Sequence, residues 1–346
     1  MKGLLFFLFF FVAIQGAQAH PLNVGLMEIT QERNRYEFQL KIHAEDFPAI
    51  TAHGSFFAET LEKIVVIPRI ACRWTQSQEL RDETLVNVVI ITATLECVEL
   101  TPTLDLELVF LERMPASFNL LTRFRAGDDE KAFSNSSTST RLQVSGGTAT
   151  RGSFMDFFKL GAAHVGLSHH EWIEDGKLKI PEGVDHLLFL LTLILASTGL
   201  VSTIKLVTGF TVGHSLSVGL SMAGFKLLPP PVVEPIIALT IALMALDFLI
   251  TISPTKKWLL VLVVGFIHGF AFATAIDDAH LSGSAFVSTL TGFNLGIEFA
   301  QVSFIALALL VGRGLKSCGL PLGKATRPAS VMIALIGLYW FIERIL

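Results

Sequence analysis

Long apolar segments in the second half of the chain constrain its fold more than any other feature. Six of them follow one another, at residues 184–203, 206–224, 232–252, 258–276, 286–310 and 329–343. About 20 apolar residues in a helix cover the hydrocarbon core of a bilayer. The chain as a whole is 51% hydrophobic and only 16% charged, which is too apolar for an ordinary soluble protein of 346 residues. Residues 183–346 are therefore predicted to form an α-helical polytopic membrane bundle of about six transmembrane helices.

Basic residues are unevenly distributed among the predicted loops. If the N-terminal region lies outside the cytoplasm, the outer loops hold only Lys226 and Arg344, whereas the inner loops hold Lys205, Lys256, Lys257, Arg313, Lys316, Lys324 and Arg327. This asymmetry follows the positive-inside rule. We therefore expect a multi-pass membrane protein whose N-terminal region lies outside the cytoplasm, with the lipid bilayer as its main partner. The net charge of −4, without a basic patch among aromatic residues, gives no indication of nucleic-acid binding.

The first 19 residues have the pattern of a secretory signal peptide. Lys2 precedes an apolar run at residues 4–14, and small residues follow at Ala17 and Ala19. An uncleaved anchor is the alternative, although the apolar run is short for a membrane span. In both cases the region that follows is predicted to be exported.

Cleavage after Ala19 would leave His20 at the mature N-terminus. Its amine and imidazole could bind one metal ion, and nitrogen ligands of this kind suit copper or nickel. His43 and His53 could complete this possible second metal site. The hypothesis depends on a single predicted cleavage position.

Residues 20–126 are predicted to form an exported all-β domain, a small antiparallel β-sandwich. Short alternating or β-branched runs separated by polar turns support this prediction, at residues 22–29, 36–42, 63–67, 85–95, 104–111 and 120–124. Cys72 and Cys97 are the only cysteines of this domain, and an oxidising compartment would let them form a disulfide. The domain shows no nucleophile motif, so binding to a periplasmic partner protein is favoured over catalysis.

Two segments connect this domain to the bundle. Residues 127–153 are rich in Ser, Thr, Gly and charge, which predicts a linker with one strand near residues 141–144. Residues 154–182 are predicted to form a Phe-rich helix lying in the membrane interface, followed by a charged insertion at residues 171–180.

Polar residues recur inside the predicted spans, where they are energetically costly and therefore point to a site. They are Asp185, His186, His214, Glu234, Asp247, His268, Asn294 and Glu298. Their positions along the spans predict that most of them meet in the outer half of the membrane, with Asp247 deeper. The alternatives are a helix cap for the Asp185–His186 pair and structural hydrogen bonds for each lone histidine.

The residue types at this predicted site favour a metal ion. Three imidazoles with one or two carboxylates suit a borderline divalent ion such as nickel, cobalt, zinc or copper, whereas magnesium and calcium prefer oxygen ligands. A proton relay is the alternative, because histidine titrates near neutral pH.

The motifs at these positions resemble the HupE/UreJ family of bacterial membrane proteins. The matching pieces are the GVDHLLF, FTVGHS, VE with IAL, IHGFAFA and FNLGIE sequences that begin at residues 183, 210, 233, 267 and 293. The resemblance implies a secondary permease for nickel or cobalt rather than an enzyme. It also implies that the candidate metal ligands are Asp185, His186, His214, His268 and Glu298, supported by His164, Ser215, Glu234, Asp247, Asn294 and Gln301.

Two features depart from the family's pattern. The histidine that usually precedes the Asp-His pair by a few residues has its counterpart in His164, which an insertion separates from Asp185. The fourth-span motif has Phe270 and Phe272 without a second histidine. Two other functions stay open: an intramembrane metal-dependent hydrolase in which Glu298 or Asp185 acts as the base, and a non-catalytic assembly or sensor protein. The sequence has no phosphate-binding loop motif, so we do not expect ATP hydrolysis within this chain to drive transport.

Overall fold

The structure is a computed structural model. It describes residues 24–43, 65–66, 72–81, 88–98, 103–115, 118–145, 152–166, 172–174, 177–178, 183–197, 199–225, 228–246, 253–277, 281, 283–319 and 322–346. The signal peptide prediction, His20, His53 and Asp247 lie outside these residues. His43 ends a described strand, but its side chain is not described.

The N-terminal part of the chain is rich in β-sheet. Its strands are β1 (Val24–Glu32), β2 (Arg35–His43), β3 (Val65–Val66), β4 (Cys72–Arg81), β5 (Val88–Cys97), β6 (Thr103–Leu108), β7 (Asn119–Ala126), β8 (Asp129–Ser136) and β9 (Arg141–Ser145), with a 3₁₀ helix at Val109–Arg113. Six strands form one sheet in the order β4-β5-β2-β1-β7-β8, and three form a second in the order β3-β6-β9.

Alternating apolar residues place the core of this region. In β2, Tyr36, Phe38 and Leu40 are buried at every second position, as expected for a strand with one face packed inward. Leu104 of β6 and Val144 of β9 belong to the same hydrophobic cluster, so both sheets contribute to one core.

The predicted antiparallel arrangement is wrong at one pairing. Strand β1 pairs with β7 in parallel, with Val24 opposite Asn119 and Gln31 opposite Ala126. Parallel neighbours need a crossover connection, and the long segment between β2 and β7, which contributes strands to both sheets, supplies it. The region is therefore a mixed-sheet structure, and its other ladders among the described residues are antiparallel.

Residues 127–153 are not mainly a linker. They contain β8 and β9, of which only β9 was expected. Strand β8 follows a turn at Gly127, which has a φ of 60°, and lies at the edge of the larger sheet. Edge strands in natural proteins commonly carry polar residues, which discourage aggregation. The polar sequence that indicated a linker is therefore that of an edge strand.

The disulfide between Cys72 and Cys97 is present in the structure. The two residues lie opposite each other on the neighbouring antiparallel strands β4 and β5. A covalent bond thus joins the edge strand β4 to the rest of the larger sheet.

The C-terminal part is helical. It contains α1 (Gly152–His164), a two-stranded hairpin of β10 (Ile173–Glu174) and β11 (Lys177–Leu178), and then α2 (Val184–Ala196), α3 (Leu200–Met222), α4 (Pro230–Ala245), α5 (Pro254–Asp277), α6 (Gly283–Ser317) and α7 (Leu322–Ile345). The six helices α2–α7 correspond in order to the six apolar segments. The first of them ends at Ala196, earlier than the segment 184–203 had indicated.

Two described helices are long and apolar enough to cross a membrane, at Gly283–Ser317 and Thr326–Ile345. Two shorter apolar helices are present at Val184–Ala196 and Pro231–Ala245. Length and composition thus indicate a membrane protein, in agreement with the high apolar content of the sequence.

Glycine residues bring α3 and α5 into close contact. A Cβ atom on Gly213 would clash with the backbone oxygen of Leu262, and one on Gly265 would clash with that of Phe210. Small residues at such positions let two helices approach until their backbones touch. This approach matters for function because His214 follows Gly213 on α3 and His268 lies on α5.

Candidate functional site

His164 lies at the C-terminal end of α1 and is held there by two close backbone contacts. A Cβ atom on Gly161 would clash with the backbone oxygen of Phe293 on α6, and one on Gly183 would clash with the backbone oxygen of His164 itself. The chain therefore returns to His164 after the insertion, immediately before α2 begins. The insertion that separates His164 from Asp185 in sequence does not separate them in space.

His186 lies in the first turn of α2 and is oriented by the preceding residue. Its Nδ1 atom is 2.9 Å from Oδ1 of Asp185, and the same carboxylate oxygen accepts a hydrogen bond of 2.7 Å from the backbone nitrogen of His186. A carboxylate only accepts hydrogen bonds, so Nδ1 carries the proton and Nε2 carries the lone pair. Among the described residues, Nε2 of His186 is buried without a hydrogen-bond partner.

Three imidazoles meet at this point. One ring nitrogen from each of His164, His186 and His214 lies within 4.8 Å of the other two. The ring centroid of His164 is 4.5 Å from that of His186 and 6.0 Å from that of His214. These side chains come from α1, α2 and α3, so the fold, not local sequence, assembles the group. We call these three residues the three-histidine group.

The three-histidine group is suitable for one cation. Nitrogen ligands lie about 2.0–2.1 Å from a bound zinc ion, which places neighbouring ligands roughly 3–3.5 Å apart. Side-chain movements of about 1 Å would bring the nitrogens from their present spacing to that distance. His214 is fully buried, and its ring nitrogens make no hydrogen bond of ordinary geometry within the described part of the chain, although Asn294 is near enough to interact with it.

His268 of α5 lies next to this group. Its ring centroid is 5.8 Å from that of His186, and its Nε2 atom is 3.0 Å from the hydroxyl oxygen of Thr240 on α4. His268 is 2% exposed, and its Nδ1 atom has no hydrogen-bond partner among the residues that the structure describes. Three helices and the end of α1 thus bring four imidazoles together.

Phenylalanine rings surround the histidines. Phe210 lies 5.2 Å from His268 and 6.2 Å from His186, and Phe293 lies 5.6 Å from His164 between ring centroids. Both phenylalanines are buried. Apolar rings exclude water and so strengthen every electrostatic interaction inside the site.

The polar residues of α6 make a row of contacts with α3. Ser215 donates a hydrogen bond of 2.6 Å to Asn294, and the hydroxyl of Thr211 lies 2.9 Å from the side-chain oxygen of Gln301. One turn away, the hydroxyl of Thr208 is 3.4 Å from a carboxylate oxygen of Glu298. This row joins α6 to α3, the helix that carries His214.

Three of the five expected ligands lie outside the three-histidine group, and one of them, His268, is next to it. Glu298 faces Thr208 in the N-terminal half of α3. Asp185 is also outside the group of ligand atoms and instead binds His186. The backbone oxygen of Glu234 accepts a hydrogen bond of 2.8 Å from Arg344.

From the sequence, His164 was expected only as a supporting residue, and Thr240 was not expected at the site. His164 is far from Asp185 along the chain, so their closeness in space was not evident. Gly183, a residue that permits close backbone contact, was the one signal that the chain returns to His164. Thr240 directly follows residues 237–239, which resemble a motif of the HupE/UreJ family. A hydroxyl group in an otherwise apolar segment could have indicated that Thr240 lies near the site.

One family model matches this chain. The family model described as HupE / UreJ protein matches residues 158–344, which is more than half of the chain and contains all four histidines. A search of curated proteins found no match. Because the match covers the helical region and the residues that form the site, the chain belongs to the HupE/UreJ family.

Proposed function

We propose that this protein is a secondary permease for a divalent transition-metal cation, with nickel or cobalt as its cargo. The observation that carries the proposal is the meeting of three buried imidazole nitrogens within 4.8 Å of one another. The family is associated with nickel and cobalt transport, and the match extends over the whole helical region.

The donor set supports a cation of this class. Imidazole suits nickel, cobalt, zinc and copper(II), whereas magnesium and calcium require oxygen ligands, and thiolates would select softer ions. Within the described residues the group contains three imidazoles and neither a thiolate nor a carboxylate. Asp185 balances part of the cation's charge from behind His186, as carboxylates commonly do for metal-binding histidines.

We also propose that the six helices α2–α7 are six spans of the bacterial inner membrane. The basic residues support it, because Lys205, Lys256 and Lys257 lie near the α2–α3 and α4–α5 connections, and Arg313 and Lys316 lie near the end of α6. These helix ends would all face the cytoplasm, as the positive-inside rule requires. The helices α2 and α4 have 13 and 16 residues, fewer than the about 20 that cover the hydrocarbon core, so each of these two spans would include residues beyond the helix.

The N-terminal sheet region would then lie in the periplasm as a sandwich-like accessory domain. Its disulfide between Cys72 and Cys97 supports an oxidising compartment, because disulfides persist outside the cytoplasm. Its role would be to bind a partner protein or to deliver the cation to the helical region.

The positions of the carboxylates favour a permease over a metal-dependent hydrolase. A general base must lie within hydrogen-bond reach of the water that it activates. Glu298 faces Thr208, and the Oδ1 atom of Asp185 already accepts two hydrogen bonds from His186. Neither residue is placed as a base beside the three-histidine group.

Uptake into vesicles tests the proposal. Purified full-length protein is reconstituted into liposomes that contain a metal-sensitive fluorophore, and nickel or cobalt is added outside. We expect uptake by the wild type and its loss in His214→Ala, which removes one of the three nitrogens. Thr203→Val is the matched control on the same helix, because Thr203 is buried and its hydroxyl bonds, among the described residues, to Ser197 and Gly199 in the α2–α3 connection.

The outcomes separate the alternatives. Absence of uptake by the wild type, with saturable binding of the cation, would refute transport and favour a sensor or an enzyme. Equal uptake by the wild type and His214→Ala would refute the assignment of the site.

A further inference from the structure

We propose that Thr240 is a positioning residue for the cation site, whose hydroxyl holds the His268 imidazole in the tautomer with the lone pair on Nδ1. This inference rests on the proposed function, because it assigns a task to a residue beside the three-histidine group. Thr240 is 8% exposed and lies on α4, whereas His268 lies on α5, so the contact also joins two helices at the site.

The single hydroxyl proton of Thr240 determines the direction of this hydrogen bond. The hydroxyl is 2.7 Å from the backbone oxygen of Ile237, which can only accept. It is also 3.0 Å from Nε2 of His268. When the proton goes to Ile237, the hydroxyl oxygen accepts from Nε2–H, and both contacts become proper hydrogen bonds.

The opposite arrangement leaves a buried donor without a partner. If the hydroxyl donated to Nε2, the proton of His268 would be on Nδ1, which has no partner within the described chain. Buried N–H groups without an acceptor are rarer than buried acceptors without a donor. Thr240 therefore selects the Nε2–H form of His268.

The selected tautomer leaves an unshared electron pair on Nδ1 of His268, a buried atom with no hydrogen-bond partner among the described residues. The ring of His268 is 5.8 Å from that of His186, whose own Nε2 lone pair is fixed by Asp185. Two of the four histidines are thus oriented by a hydrogen bond that the ring donates, His186 to a carboxylate and His268 to a hydroxyl oxygen. Such orienting partners typically change metal affinity about 10- to 100-fold when they are lost.

The test compares Thr240→Val, which keeps the shape and removes the hydroxyl, with Thr240→Ser, which keeps the hydroxyl. Thr192→Val is the matched control, since Thr192 is also buried and donates to a backbone oxygen three residues earlier, Phe189 at 2.6 Å. Cobalt(II) is titrated into each purified full-length protein, and its absorption spectrum gives the Kd. Nitrogen–proton correlation spectra of the metal-free proteins report the tautomer of His268, identified by its absence in His268→Gln.

We expect Thr240→Val to bind cobalt about 10- to 100-fold more weakly and to move the His268 proton to Nδ1. Thr240→Ser and Thr192→Val should retain the wild-type affinity and tautomer. Wild-type affinity in Thr240→Val, or an equal loss in Thr240→Ser, would overturn the inference. Failure of the wild type to bind cobalt would count against the proposed function instead, and the tautomer of the metal-free protein would still decide the role of Thr240.

Discussion

Replacement of Asp185 by asparagine tests how the carboxylate contributes to the site. The structure places its Oδ1 atom 2.9 Å from Nδ1 of His186, on the side of the ring away from the lone pair of Nε2. Asp185→Asn keeps the shape and the acceptor oxygen but removes the negative charge. Asp185 should therefore act through His186, and its loss should weaken cation binding without removing a ligand.

The size of the effect follows from the hydrogen bond. A bond to a charged group contributes about 1.5–3 kcal/mol and a neutral one about 0.5–1.5 kcal/mol, so the exchange costs roughly 1–1.5 kcal/mol. Both bonds from His186 to Asp185 are made without the cation, but only the bond from Nδ1 strengthens when a cation binds the same ring. Since about 1.4 kcal/mol is a factor of ten, loss of a strengthening of this size gives an approximately tenfold higher Kd, at the lower end of the effects seen for orienting partners.

Cobalt titration of the purified protein provides the assay. Asp185→Asn should show the weaker Kd together with an unchanged cobalt absorption spectrum, because the same nitrogens bind the ion. His214→Ala serves as the contrast, since the loss of a ligand should change the spectrum itself. An unchanged Kd in Asp185→Asn would show that the carboxylate does not contribute to cation binding. A changed spectrum would show that Asp185 is itself a ligand.

Four further results are expected. Gly213→Ala should push α3 from α5 and destabilise the fold by about 1–3 kcal/mol in denaturant unfolding, whereas Gly314→Ala, which meets nothing within 4 Å, should not. Glu298→Gln should leave the cobalt spectrum unchanged, because Glu298 lies outside the three-histidine group; a shifted spectrum would contradict this placement. Cys72→Ser should lower the free energy of unfolding by about 3 kcal/mol, measured by pulse proteolysis in urea, and no loss would contradict a stabilising disulfide. Cys318, an exposed free thiol, should react with a membrane-impermeant maleimide only after cells are permeabilised, and labelling of intact cells would reverse the proposed topology.

The helical region was largely predictable because each helix is indicated by the apolar composition of its own residues. Apolar runs of 15 to 25 residues indicate helices by their own composition, and each of the six runs contains a helix in the structure. The polar residues within them were visible for the same reason: a histidine such as His214 stands out in an apolar segment. The break after Ala196 was not apparent, because Ser and Gly are tolerated in apolar helices.

The sheet region was less predictable because strand pairing depends on distant partners. Core strands such as β2 show alternation in their own sequence, but β4 and β8 at the two edges of the larger sheet are polar and showed none. The parallel pairing of β1 with β7 depends on the path of the chain between them, which no local pattern encodes.

The site was only partly predictable, since orientation is a property of the folded chain. The positions of Asp185, His186 and His268 were evident, but nothing in the sequence shows that Asp185 faces His186 or that Thr240 faces His268. His164 belongs to the three-histidine group because the chain returns to it at Gly183, after the charged insertion. The sequence does not show this return.

X-ray absorption at the metal edge of the nickel- or cobalt-loaded full-length protein tests directly whether the three-histidine group binds the cation. We predict at least three nitrogen atoms bound to the ion, with the outer-ring scattering typical of imidazole. His214→Ala should lose one of these imidazoles. A shell made of oxygen atoms alone, or the same imidazole count in the variant, would show that these buried histidines do not bind the cation.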